Sequence, residues 1–221
     1  MNEWPDNLEE AAAIQERLRA QLRIGDDFGV LRTVAGVDAG FEEAGRVARA
    51  AVVRLDFPSL QVRDYAIARR PLTFPYVPGF LSFREAPAIM DAIRRLAAPP
   101  DLIICDGQGI AHPRRLGIAA HIGLLLDIPS IGCAKSRLIG SHPPLPAERG
   151  AAVPLFDGDE QIGLVLRSRA GTKPVYVSPG HRVGMQSAVD LVMACVTRYR
   201  LPETTRAAHR LASHGIMPTE G

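Results

Sequence analysis

Residues 101–135 read DLIICDGQGIAHPRRLGIAAHIGLLLDIPSIGCAK, and this stretch decides the fold. It opens with DLIICD (101–106), an apolar run without alternation that ends in an acid. It closes with IPSIGCAK (128–135), a second such run, which ends in a lysine. Runs of this kind are strands buried on both faces, the habit of parallel sheets. Between them, RRLGIAAHIGLLLD (114–127) reads as a helix. Strand, helix and strand form a parallel crossover, so Asp106 and Lys135, at two strand C-termini, share one rim of the sheet.

Upstream the pattern changes. TVAGVDAGF (33–41), RVARAAVVRLDF (46–57) and QVRDYAIARRP (61–71) read as strands. Their connections are short, which favours an antiparallel meander. A helix up to about Leu22 precedes them. SFREAPAIMDAIRRLAA (82–98) follows with helical periodicity, Ser82 standing as N-cap and Glu85 three residues on in capping-box spacing. Beyond residue 135, SHPPLPAERGAAVP (141–154) reads as a long loop, QIGLVLRSR (161–169) and PVYVSPG (174–180) as strands, and 184–200 and about 203–213 as helices. Three antiparallel strands followed by a parallel crossover is the ribonuclease H-like plan, an α/β mixed sheet flanked by helices. The 221 residues fit one domain, 1–221, with the last few residues expected to form a flexible tail.

Composition narrows the class. Hydrophobic residues make up 47% and charged residues 23%, as in a globular protein. No apolar run approaches the ~20 residues that span a bilayer. The N-terminus has neither a basic start nor an apolar h-region, so no signal peptide is expected and the reading is cytoplasmic. Cys105, Cys133 and Cys195 lie in apolar segments without a CxxC pair, which suits reduced core cysteines rather than zinc ligands. Net charge is +2, but the first 30 residues hold seven acidic and three basic groups, leaving +6 on the other 191. A local cationic groove is compatible with this, and so is a merely solvated basic face.

Asp38 is the charge inside VAGVDAGF, on one face with Val34, Gly36 and Gly40. The neighbouring glycines clear space for something to approach the backbone. A buried lone carboxylate is costly unless a cation or hydrogen bonds compensate it; a structural salt bridge is the plainer alternative. Asp106 is followed by Gly107-Gln108-Gly109, glycines that let backbone N–H groups approach a ligand, or that merely form a turn. In the ribonuclease H-like sheet the first and fourth strands are neighbours, so Asp38 and Asp106 should lie side by side. Two close carboxylates with hard oxygen donors suit Mg²⁺, with Mn²⁺ able to substitute. Lys135 either serves that site or snorkels to solvent. Glu85 is either a third carboxylate or only the capping-box partner. His112 should sit on the rim after the glycine loop, and His121 in the core. His209 is open on residues alone. His181 and Arg182 follow VSPG, a position suited to phosphate.

One segment is unusually stiff, TFPYVPGFLSFRE (73–85), where Pro75 and Pro78 flank Tyr76 and Val77. A rigid packing turn is the plain reading. Its run into Glu85 places it beside the acids.

These pieces together resemble the endonuclease V family: AGVDAGF (35–41), PYVPGFLSFRE (75–85), CDGQGIAHPRRLGIAAHIG (105–123), IGCAKSRLIG (131–140), VYVSPGHRVG (175–184) and YRLPETTRAAHRLA (199–212). The resemblance implies Mg²⁺-dependent cleavage of a strand bearing hypoxanthine. The bond cut is the second phosphodiester 3′ to the lesion, leaving 3′-hydroxyl and 5′-phosphate ends. By the same resemblance Asp38, Asp106 and Glu85 are the metal-site acids, Lys135 the charge-stabilising lysine and His209 the functional histidine of the late helix. Tyr76 matches the strand-separating wedge. Gly79, Leu81 and Gly107 fall where the family lines the pocket for the flipped base, and His112 is similar to a DNA-contacting residue of the family. Arg114, Arg115, Arg137 and Arg182 are candidates for backbone phosphates, and Pro75, Pro78, Gly109 and His181 are included in the DNA-facing set.

The expected partner is DNA with deaminated bases, with single-stranded DNA and RNA as further candidates, and the expected state is a monomer. Other readings are an inosine-specific endoribonuclease, a non-catalytic binder of lesions or branched nucleic acid, and an enzyme for a small phosphorylated substrate. The acids and lysine speak against the binder, and the apolar wedge speaks against the small substrate.

Overall fold

The computed structural model describes residues 4–215. Helix α1 (Leu8–Arg19) leads into the meander β1 (Thr33–Glu42), β2 (Val47–Asp56) and β3 (Val62–Pro71). Then come α2 (Leu81–Arg94), β4 (Leu102–Cys105), α3 (Ile118–Leu126) and β5 (Ser130–Ala134). The chain continues through β6 (Ala152–Asp157), β7 (Glu160–Leu166), β8 (Val175–His181), α4 (Met185–Ala194) and α5 (Glu203–His214). The eight strands of the described residues form one sheet in the order β3-β2-β1-β4-β5-β8-β7-β6. β1 pairs antiparallel with β2 and parallel with β4, and β4 pairs parallel with β5. This is the ribonuclease H-like mixed sheet read from the sequence. The expected C-terminal tail lies outside the described residues. No described helix is long and apolar enough to cross a membrane.

Alternation along the buried strands sends side chains to two separate cores. Val34, Ile104, Ile131 and Cys133 pack with Val189 and Val192 of α4 and Ala207 and Leu211 of α5. Ala35, Val37, Ile103 and Cys105 pack on the other face with Ala86, Ile89 and Ile93 of α2 and Ala119 and Ile122 of α3. Burial of each such aliphatic side chain contributes about 1.5–3 kcal/mol relative to exposure. Gly36 faces α5. A Cβ at this position would stand 1.9 Å from the Thr204 carbonyl oxygen, so only glycine lets the first turn of α5 rest on the β1 backbone. The object approaching the backbone beside Asp38 is thus a helix of the protein itself.

Several boundaries differ from the sequence reading. The stretch read as loop through residue 154 already contains β6, which begins at Ala152. Pro154 disguises it, but β6 is the edge of the sheet, where a strand tolerates a missing N–H. The helix expected from residue 114 starts at Ile118 after Gly117, because Arg115 takes a left-handed turn with φ 57°. α4 stops at Ala194 rather than near 200. α2 starts at Leu81 with no side-chain cap, so the capping box is not formed. The side chain of Ser82 instead lies 3.0 Å from the buried His121 ring.

Candidate active site

The β1–β4 register ends at Val37 opposite Cys105, which puts Asp38 and Asp106 at the next step, side by side on the rim. Both continue the alternation toward the α5 face. The Lys135 ammonium, just past β5, contacts Asp106 Oδ2. From α5, His209 Nδ1 lies 2.8 Å from Asp38 Oδ2, and the Ala39 N–H donates to Asp38 Oδ1 at 3.0 Å. Glu85 reaches the same rim from α2, on the opposite face.

The electrostatics bind the three acids into one unit. Burial raises the Asp38 carboxyl above its ordinary range; the His209 hydrogen bond opposes this and the Asp106 charge adds to it. Glu85 is pushed up to about 8, first by burial, then by the charge of Asp38, with Arg84 opposing and Asp106 adding. Burial, with mutual repulsion added to it, leaves a site short of positive charge. Among the described residues no three His, Cys, Asp or Glu side chains form a closed metal cage, and Lys135 and His209 each hold one acid. Mg²⁺ does not require such a cage: it keeps several waters and takes one or two carboxylates with substrate phosphate, so Asp38, Asp106 and Glu85 fit it as donors.

A cleft of about 400 Å³ opens onto Glu85 and Asp106. One wall is the segment Tyr76–Gly79 with Leu81, the other Gly107, Gln108 and Ile118, with Glu85, Asp106 and Lys135 at the mouth. Tyr76 stands at the lip, 68% exposed. The segment beneath it is held firmly. Gly79, at φ 81°, turns its carbonyl to accept from Gln15 Nε2 at 3.0 Å and Arg114 Nη2 at 2.9 Å. The Arg114 guanidinium also bonds Gln15 Oε1 and lies 4.1 Å over the Phe80 ring. Arg84 Nη1 donates to the Phe74 carbonyl at 2.9 Å. The loop is therefore pinned at both ends and its aromatic tip is free.

A profile of the family described as Endonuclease V matches residues 16–210. The chain is 63% identical over 215 residues to the Endonuclease V of Roseiflexus castenholzii, covering 97% of this chain and 96% of that one. The chain belongs to the endonuclease V family. Among solved structures, the Endonuclease V of Streptomyces avermitilis superposes with a TM-score of 0.92 at 42% identity, covering 96% of this chain and 94% of that one. The Ciona intestinalis Endonuclease V, solved with a 24mer DNA containing an inosine followed by a ribo-adenosine, gives 0.83 at 26% identity, covering 94% and 96%. Membership in the endonuclease V family makes this chain a nuclease.

Within this endonuclease V fold the sequence candidates do not all come together. Asp38, Glu85, Asp106, Lys135 and His209 converge on the rim, and Tyr76, Pro78, Gly79, Leu81, Gly107, His112 and Arg137 line the cleft. Pro75 is exposed beside Tyr76. His112 is not on the rim but buried at 5% exposure in the cleft wall, where burial and the Arg114 charge hold it down to about 4, that is, neutral. The Gly107 and Gly109 N–H groups are not free for a ligand: they donate to the Cys105 carbonyl and Ser178 Oγ. Arg114 is consumed by the loop, and Arg115 pairs with Asp157 and Glu160 at 2.8 Å each. His181 and Arg182 are not at the site at all. β8 runs antiparallel to β5, so His181 pairs with Ser130 at the end of β5 remote from Lys135. There His181 and Arg182 bind Asp127, and Arg182 also binds Asp27. The sequence reading missed Gln15, fully buried on the apolar stripe of α1 with Ala11, Ile14 and Leu18. A polar residue on that stripe was the available signal. Arg210, which lines a second cleft with Asp106, Lys135 and His209, was not singled out either.

Proposed function

We propose that this chain is a Mg²⁺-dependent nuclease that extracts a deaminated purine, hypoxanthine foremost, from DNA. It then hydrolyses the second phosphodiester bond 3′ to that base. The observation that carries this is the cleft with Tyr76 at its lip and Asp106, Glu85 and Lys135 at its mouth. A pinned aromatic beside a base-sized pocket suits replacement of an extruded base in the stack. The inosine-bearing DNA bound by the Ciona relative supports the same substrate class.

A divalent cation at Asp38 and Asp106 would supply charge to polarise the phosphate and acidify a water. The protein's own groups do the rest. Lys135, beside Asp106, balances the negative charge that builds on the phosphoryl oxygens as water attacks phosphorus. The bond to the 3′ oxygen breaks on the opposite side. His209, held through Nδ1 by Asp38, presents Nε2 to deliver a proton to that departing oxygen. Products with 3′-hydroxyl and 5′-phosphate ends follow.

The test is an incision assay on a duplex with one deoxyinosine, with matched adenosine and RNA inosine versions, in Mg²⁺ and in chelator. Nicking is expected on the deoxyinosine strand in Mg²⁺ alone. Asp38→Asn and Asp106→Asn should each slow it by about a thousandfold while binding persists. Nicking by either variant at the normal rate would overturn the assignment. Faster nicking of the RNA inosine strand would make RNA the substrate.

A further inference from the structure

Asp106 on the rim is reached by two clefts. The base pocket lies on the α2/α3 face of the sheet. A second cleft of about 240 Å³ lies on the α5 face, and Asp106 and Lys135 line both. Its other walls are Leu201, Thr205, Arg206, His209 and Arg210. Apart from Asp106, which Lys135 already holds, this lining has no acid and is cationic.

The two arginines differ in commitment. Arg206 Nη1 bonds both oxygens of Glu203, at 2.7 and 2.8 Å, and its guanidinium lies 3.5 Å over the Tyr199 ring. Arg210 has no acidic or carbonyl partner among the described residues, and its buried Nε meets no acceptor. A structural arginine is normally paired, since a buried donor left unmade is costly. An unpaired guanidinium on an open cleft beside a phosphoryl-transfer site is complementary to a phosphate, whose oxygens match its planar fork.

We propose that the α5-side cleft is the subsite for the DNA strand beyond the scissile bond, with Arg210 holding the first phosphate past the cut. This rests on the function proposed above. If the base enters the α2/α3-side pocket and the cut falls to its 3′ side, the strand crosses the rim at Asp38 and Asp106. It then descends on the opposite face, and the cleft walled by α5 is what it meets there. Arg210 touches no reacting atom; it binds and positions the departing strand.

The experiment replaces the first phosphodiester beyond the cut by a neutral methylphosphonate in the inosine duplex. Wild type, Arg210→Gln and Arg210→Lys are then compared in kcat and KM. Wild type should lose about ten- to a hundredfold in kcat/KM on the neutral linkage, the scale of one charge-assisted hydrogen bond. Arg210→Gln should lose a similar factor on the ordinary duplex, mainly in KM, and lose nothing further on the neutral one; Arg210→Lys should recover part of the loss. The neutral-linkage comparison on unaltered protein reads the subsite even if a variant folds poorly. Losses that multiply when the variant meets the neutral linkage, or full activity of Arg210→Gln, would overturn the subsite while wild-type nicking at inosine stands. Failure of wild type to distinguish inosine from adenosine overturns the proposed function and the subsite together.

Discussion

His209 Nδ1 and Asp38 Oδ2 lie 2.8 Å apart, so the last helix is tied to the first strand across 171 residues of sequence. The contact lies within a longer seam. The first turn of α5 lies on Gly36, and Arg49 of β2 grips the Ala212 carbonyl near the C-terminus of α5. The placement of His209 over the acids is therefore decided by how closely helix and strand approach, and the chemistry of the rim depends on packing one and a half turns away.

His209→Ala should lower the single-turnover nicking rate by about 10²- to 10⁴-fold, the usual contribution of a positioned acid or base. Its side chain is 59% exposed, so the melting temperature should barely change. A rate within threefold of wild type would remove His209 from the proton path.

Gly36→Ala tests the seam. The added Cβ would stand 1.9 Å from the Thr204 carbonyl oxygen, so α5 must move off β1. Overpacking of this kind costs about 1–3 kcal/mol. The melting temperature should fall, and nicking should fall further than the unfolded fraction explains, because His209 moves with the helix. Full specific activity in the folded variant would show that the seam does not set the site.

What could be read from the sequence follows from what is local. Asp106 and Lys135 end apolar runs, and the crossover rule alone brings them to one rim; the β1–β4 neighbourhood then adds Asp38. Glu85 was visible as a third carboxylate or a capping-box partner, two readings that its own segment does not separate. The start of α2 is set by Gly79, whose carbonyl is held by Gln15 and Arg114 from distant elements, and that shift leaves Ser82 facing His121. His181 and Arg182 have the local chemistry of a phosphate loop, but the direction of β8 against β5 carries them to the other end of the sheet. Arg210 looks like any arginine on the polar face of a helix, and only the cleft beside it and its missing partner set it apart.

Tyr76→Ala separates a wedge from a packing turn. The ring is 68% exposed while Phe74 and Phe83 carry the anchorage, so the variant should fold with stability within about 0.5 kcal/mol of wild type. Loss of one base–aromatic stack, about 1–3 kcal/mol, should weaken binding of the inosine duplex by roughly ten- to a hundredfold. Binding titrations in Ca²⁺, with cleavage suppressed, give the affinity. Unchanged affinity would return the segment to a packing role.

Glu85 gives a prediction whose sign is set by the rim itself. In the unfolded chain its carboxyl ionises near ~4.3; in the folded protein burial and the charges of Asp38 and Asp106 hold the proton on to about 8. Between those values the folded state binds more protons than the unfolded one, so Glu85 withdraws stability as pH rises through this window. Glu85→Gln carries no such loss. In chelator the variant should melt higher than wild type at pH 8, by on the order of 5 °C, and the advantage should shrink to nothing by about pH 4, where wild-type Glu85 is protonated in both states. Nicking should be lost in the same variant, since the site loses one of its three carboxylates. Melting curves of the two proteins in chelator across pH 4–8 decide it: a gap that is constant with pH, or a variant less stable at pH 8, would show that burial and the neighbouring charges do not hold Glu85 protonated.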